Sequence, residues 1–158
     1  MTKVIMHGCN VKMGQTNTEM CKDDPEIEIV AGIDLYDGIK NDYPVFPNIS
    51  VCDVKADAVI DFSNAKAVDD LLIYCEEKQV PVVLCTTGLS EVQLAKVKQV
   101  SGHVAVLKSA NMSLGINMLM ELLKKAALTL APAGFDMEIV EKHHNQKLDA
   151  PSGTALAL

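Results

Sequence analysis

Five short apolar runs constrain this chain more than any other feature. Val4-Ile-Met6, Ile27-Glu-Ile-Val-Ala-Gly-Ile33, Ala58-Val-Ile-Asp-Phe62, Val80-Pro-Val-Val-Leu84 and Val104-Ala-Val-Leu107 read as strands. Helical patterns stand between most of them. Gln15–Lys22 reads as a polar helix with a thin apolar face of Met13, Met20 and Cys21. Thr16 and Asn17 fall where packing residues would help, and both are poor helix formers. Ser63 or Asn64 can cap a helix that turns Ala67, Val68, Leu71, Leu72 and Cys75 inward. Ser90-Glu-Val-Gln93 is a capping-box pattern for another, with Leu94 and Val97 inward. Tyr36–Val54, with Gly38, Pro44 and Pro47, reads as a surface loop. Strand–helix alternation of this kind predicts an α/β fold with a Rossmann-like, doubly wound parallel sheet.

In such sheets ligands bind outside the carboxyl ends of the strands. Gly8-Cys-Asn-Val-Lys-Met-Gly14 is a glycine-bounded turn leading from the first strand into a helix. Such a turn lets backbone approach a diphosphate. Asp34 lies at the end of the second strand, where an acid can accept from ribose hydroxyls. A strand-end Asp can equally cap a turn. Leu35, not an arginine, follows it, which favours NADH over NADPH. Thr86, Thr87 and Asn111 also fall at strand ends. Residues 1–111 are therefore expected to form a dinucleotide-binding domain.

After Asn111 the pattern changes. Ile116, Leu119, Met120, Leu123, Ala127 and Leu130 form a helical stripe, stopped by Pro132 and Gly134. Phe135-Asp-Met-Glu-Ile-Val140 alternates like a half-buried strand. This predicts the start of an α+β substrate-binding and oligomerisation domain at 112–158.

That strand leads into Glu141-Lys-His-His-Asn-Gln-Lys-Leu-Asp-Ala-Pro-Ser-Gly-Thr154. Two histidines, a lysine and an acid lie within nine residues. Ser152 is a good helix N-cap, and the Gly153 and Thr154 N–H groups at a helix start can hold an anion. An unperturbed histidine titrates near ~6.5 and can give up a proton near neutrality. The stretch suits an acidic small molecule that must gain a proton. A metal fits less well, since adjacent strand residues point to opposite faces, so no metal is expected. His7 and His103 stand alone and read as structural or solvated.

Composition excludes other classes. The net charge of -7 offers no basic face for nucleic acid. No apolar run approaches the ~20 residues of a membrane span. The N-terminus lacks a signal-peptide layout. Five cysteines, an odd count without a CxxC pair, favour a reducing compartment and free thiols. A cytoplasmic location is expected.

Taken in order, the chain resembles the N-terminal portion of the dihydrodipicolinate reductase family. The resemblance rests on Val59-Ile-Asp-Phe-Ser63, Thr86-Thr-Gly88, Ala110-Asn-Met-Ser-Leu-Gly115 and above all Glu141 to Ala155. It implies reduction of 4-hydroxy-tetrahydrodipicolinate, a cyclic dicarboxylate, with NADH or NADPH in lysine and diaminopimelate biosynthesis. It implies His143 as general acid and Lys147 as its charged catalytic partner. His144, Gly153 and Thr154 would meet the substrate. Gly8, Cys9, Asn10, Val11, Lys12, Met13, Asp34, Cys85, Thr86, Thr87, Ser109, Ala110, Asn111 and Met112 would line the cofactor. The family is a homotetramer and continues past the position of Leu158.

Val11 stands where the family's turn has glycine, and Cys85 where glycine is usual. A β-branched residue resists positive φ, so Val11 is expected to hinder the cofactor. Two readings stay open on residues alone: a reductase, or a remnant that only binds nucleotide or serves structurally. A different Rossmann oxidoreductase leaves the His-His to Gly-Thr run unexplained.

Overall fold

β1 (Thr2–His7), β2 (Ile27–Ile33), β3 (Val45–Phe46), β4 (Ala58–Asp61), β5 (Val82–Leu84) and β6 (Val106–Lys108) form one parallel sheet in the order β3-β2-β1-β4-β5-β6. The computed structural model describes residues 1–145 and 150–158, which fall into two compact units, Met1–Ser109 and Ala110–Leu158. The strand order is that of a Rossmann sheet, which reverses direction between β1 and β4. The register aligns the strand ends. Phe46, Ile33, His7, Asp61, Leu84 and Lys108 lie in one row across the carboxyl edge.

Helices α1 (Lys12–Cys21), α2 (Val68–Lys78) and α3 (Glu91–Val100) belong to this first unit. α2 buries Val68, Leu71, Leu72, Tyr74 and Cys75. Its apolar positions recur at helical spacing, and a 3₁₀ turn, Ala65–Ala67, leads into it. Asn64 caps that turn by accepting from Lys66 N–H. α3 begins with a complete Ser90/Gln93 capping box and buries Val97 and Val100. Ile5, Val59, Leu71, Leu72 and Leu84 are fully enclosed in one apolar cluster.

Two expectations for this unit are corrected. Tyr36–Val54 is not a plain surface loop, because it supplies β3 at the sheet edge and two core residues, Ile49 and Cys52. Asn48 accepts from Ser50 N–H and starts a 3₁₀ turn, Ile49–Val51, within which Ile49 is buried. Two-residue strands between prolines carry no readable periodicity. On α1 the buried residues are Gly14 and Thr18, while Met13 and Met20 are exposed. Gly14 allows the helix to press on the turn after β1, and Thr18 follows one turn later. Thr18 pairs its hydroxyl with Tyr43 at 2.7 Å. Thr16 and Asn17 satisfy themselves on the carbonyls of Lys12 and Met13.

In the second unit α4 (Leu114–Leu130) begins at Ser113, which caps it, and ends in a 3₁₀ turn, Ala131–Ala133. Gly134 closes it at φ +87°. None of the 17 residues of α4 is buried. The expected strand over residues 135–140 is absent, since that stretch pairs with no strand among the described residues. Alternation marks a face but does not make a ladder without a partner. α5 (Gly153–Ala157) follows its N-cap, Ser152. Among the described residues no helix is long and apolar enough to cross a membrane.

Candidate functional site

The turn after β1 is built by two glycines that cannot be replaced cheaply. Gly8 has φ +78°, and a Cβ there would lie 2.8 Å from Ser63 N. A Cβ on Gly14 would lie 2.1 Å from the Gly8 carbonyl oxygen. These contacts bring the start of α1 to the carboxyl edge, beside the switch point between β1 and β4. No side chain caps α1, and no acid stands in its first turn. Its first N–H groups thus meet the requirement for holding an anion such as a diphosphate.

Val11 is the N-cap of α1, at φ -75° and ψ 163°. This is ordinary extended backbone, so the expected resistance to positive φ does not arise. Its half-exposed side chain lines a cavity of about 290 Å³ with Gly8, Asp34, Ser63 and Asn64. That volume is at the lower end for small-molecule sites. A larger cavity, about 480 Å³, lies between the end of α1 and the amino end of β2, away from this edge.

Asp34 stands just past β2. Its Oδ2 accepts from Asn10 N–H and its Oδ1 from Tyr36 N–H, both at 3.0 Å. A carboxylate has about four acceptor sites, so two lone pairs remain for ribose hydroxyls. Asn10 is held further by Asn41, whose Nδ2 donates to Asn10 Oδ1 at 2.8 Å. Cys9 turns its side chain into the core, where burial and then Asp34 push its thiol up to about 12. Its N–H donates to Ile33 O at 3.3 Å and its carbonyl accepts from Gln15 Nε2 at 2.8 Å. Lys12 and Met13 are exposed on the first turn of α1.

At the end of β5, Cys85 is half-buried, Thr86 is buried and Thr87 is exposed. Burial and the nearby Asp61 raise the Cys85 thiol to about 11. A thiol so raised is almost wholly protonated at neutral pH and is a poor redox nucleophile. Ser109, at the end of this unit, donates its N–H to Leu84 O at 3.1 Å.

Next to this edge is a group that sequence reading left unassigned. Asp61 is fully buried, and its Oδ1 lies 2.7 Å from His7 Nδ1. The same oxygen accepts from Ser63 Oγ at 2.6 Å and Ser63 N–H at 3.1 Å. Burial alone would raise the carboxyl's pKa. The His7, Ser63 and Thr86 contacts outweigh it and hold the carboxyl below its usual range. An acid inside an apolar strand, Val59-Ile-Asp-Phe62, was the visible signal.

In the second unit, Asn111 and Thr154 come together. Asn111 Nδ2 donates to Thr154 Oγ1 at 3.0 Å. The family resemblance implies the cofactor for Asn111 and the substrate for Thr154, and the hydrogen bond joins the two. Asn111 Oδ1 also accepts from Ser113 N–H. Ala110 is half-buried and Met112 exposed. Ser152 Oγ accepts from Ala155 N–H, while Gly153 and Thr154 form the first turn of α5. Glu141 Oε1 accepts from Ser152 N–H at 2.8 Å, and its Oε2 lies 3.7 Å from His143 Nδ1. His143 and His144 are exposed. Lys147 lies outside the described residues.

Family profiles match both parts of the chain. The profile described as "Dihydrodipicolinate reductase, N-terminus" matches residues 2–112, and "Dihydrodipicolinate reductase, C-terminus" matches 115–158. The 4-hydroxy-tetrahydrodipicolinate reductase of Clostridium novyi (strain NT) is 51% identical over 158 residues, 100% of this chain and 62% of that protein. The Clostridium tetani (strain Massachusetts / E88) protein of the same name is 48% identical over the same share. The chain thus spans 62% of the length of these curated relatives. A solved structure, a dipicolinate-bound dihydrodipicolinate reductase from Paenisporosarcina sp. TG-14, superposes with a TM-score of 0.74 at 29% identity, covering 99% of this chain and 63% of that one. The myo-inositol 2-dehydrogenase of Lactobacillus plantarum shares the fold, with a TM-score of 0.60 at 11% identity, over 81% of this chain and 42% of that one.

Proposed function

The chain belongs to the dihydrodipicolinate reductase family, and on that premise we propose that it carries the cofactor site and the proton-transfer loop of a 4-hydroxy-tetrahydrodipicolinate reductase. The observation that carries the cofactor half is the uncapped start of α1, brought to the switch point by Gly8 and Gly14, with Asp34 beside it. The start of α1 would hold the diphosphate and Asp34 the adenosine ribose. Cys85, Thr86 and Thr87, with Ser109 to Met112, would line the rest. When bound, the nicotinamide supplies the hydride. NADH is the favoured cofactor, because the chain has no arginine to pair with a 2′-phosphate and exposed Leu35 follows Asp34.

The second half belongs to His143 and its neighbours. His143 acts as general acid, giving its proton to the reduced substrate, with Lys147 as charged partner. Glu141 lies between His143 and the start of α5, so the proton donor and the Gly153–Thr154 turn share one anchor. That turn and His144 would meet the substrate, whose two carboxylates favour N–H groups and cations. The dipicolinate bound in the Paenisporosarcina enzyme is a dicarboxylate of this kind. The same reading places the protein in the cytoplasm, in lysine and diaminopimelate biosynthesis, and in the full-length family as a tetramer.

One observation favours a second reading. Residues 135–140 have no strand partner among the described residues, and the apolar stripe of α4 is no more than half-buried. A chain in this state could bind nucleotide without turnover. The test is NADH oxidation with 4-hydroxy-tetrahydrodipicolinate, comparing the parent with His143→Ala and Lys147→Ala. Activity in the parent and its loss in both variants, with unchanged circular dichroism, is expected. Full activity in either variant removes that residue from the mechanism, and an inactive parent leaves the nucleotide-binding reading.

A further inference from the structure

The cofactor edge of the sheet has a carboxylate at its centre that no proposed step uses. Asp61 ends β4 and pairs in register with His7, which ends β1. Both are enclosed, Asp61 fully and His7 at 4% exposure. A buried carboxylate is stable only when its lone pairs are met. Oδ1 is met by His7 and twice by Ser63. A carboxylate can only accept, so His7 carries its proton on Nδ1. Oδ2 and the Thr86 hydroxyl are both buried without a well-formed hydrogen bond. Thr86 is the weakest of the groups that hold the carboxyl below its usual range, after His7 and Ser63.

Each partner belongs to a different segment of the edge. His7 precedes Gly8, whose missing Cβ would strike Ser63 N and the Phe62 carbonyl carbon. The backbone that Asp61 fixes at Ser63 is therefore the wall on which the glycine turn rests. Phe62 N–H donates to His7 O, and Cys85 N–H to Asp61 O, at 2.9 Å each, so the same three segments are also tied through backbone. Simple strand pairing would need no buried charge here. An apolar pair would close the sheet as well, since a buried ion pair generally adds little net stability.

We propose that Asp61, held by His7, is a positioning residue that sets the glycine turn, Ser63 and Thr86 in the mutual geometry the nicotinamide cofactor requires. The inference rests on the cofactor-site reading above. It assigns to Asp61 no contact with the cofactor. Its effect is on cofactor affinity beyond its effect on stability.

The test is NADH affinity by nicotinamide fluorescence, with thermal unfolding measured on the same samples. Asp61→Asn keeps the shape and removes the charge. It should weaken NADH about tenfold or more while the protein remains folded. Ser63→Ala removes one donor at a half-buried position. It should weaken NADH by about threefold with only a small fall in melting temperature. His7→Asn keeps a donor for Asp61 and should retain near-parental affinity, whereas His7→Leu should lose it. A folded Asp61→Asn that binds NADH as the parent does overturns the proposal. If Asp61→Asn does not fold, parental affinity in Ser63→Ala overturns it instead. A folded parent that binds no NADH overturns the cofactor-site reading, and this inference with it.

Discussion

In the first unit Leu71, Leu72 and Leu84 are sealed from solvent, whereas in the second Leu114 and Leu128 are 86% and 80% exposed. The residue type is the same and the sequence patterns are equally clear. The sheet unit closes its own core because six strands and three helices return to one another across it. The second unit holds the most specific stretch of the chain, Glu141 to Ala155, and among its described residues only Ser152 is buried. Chemical identity and structural self-sufficiency thus lie in different places. A run of site residues is local in sequence, whereas a core is made by distant segments.

The sharpest way to break this comparison is one truncation in each unit. Leu72→Ala should cost about 2–5 kcal/mol in urea unfolding, as for other enclosed leucines. Leu122→Ala, in α4 and 54% exposed, should change stability by about 0.5 kcal/mol or less. Equal costs would mean that α4 is covered in solution.

A smaller effect is expected at the turn. Gly14→Ala must displace the Gly8 carbonyl, which a Cβ would meet at 2.1 Å. We expect NADH affinity to fall by about tenfold with a stability loss of about 1–3 kcal/mol. Retained affinity, measured by nicotinamide fluorescence, would show that the turn does not form the cofactor cradle.

The smallest effect is acid sensitivity. The Asp61 carboxyl is held below its usual value of 3.8 because its hydrogen bonds outweigh its burial. A carboxyl with a depressed folded-state pKa stabilises the fold above its unfolded value, and this is lost as pH falls through the folded one. Between about pH 5 and about pH 2 the parent should therefore lose more stability than Asp61→Asn. Parallel curves in urea titrations across that range would show that Asp61 carries no such linkage.

Much of the sheet was legible in the sequence, because β-branched runs and capping patterns are local signals. The Ser90–Gln93 box and the Ser152 cap stand where the sequence places them. β3 and Ile49 were not legible, since Asn48 and two prolines shape them without periodicity. The inward face of α1 was misread because close approach at Gly14 decides it, not hydrophobicity. Residues 135–140 show the reverse failure, a clear alternation with no partner strand among the described residues. At the candidate site, the glycine turn and Asp34 could be found by spacing. The His7–Asp61 pair joins residues 54 apart, and only strand register brings them side by side.

The central claim is that these 158 residues hold both a cofactor site and a dicarboxylate site. The most direct measurement is an NADH titration by nicotinamide fluorescence, with and without pyridine-2,6-dicarboxylate. The account predicts that NADH binds and that the dicarboxylate tightens it. NADH binding unmoved by the dicarboxylate would leave the nucleotide unit alone, and a folded sample that binds neither would contradict the claim outright.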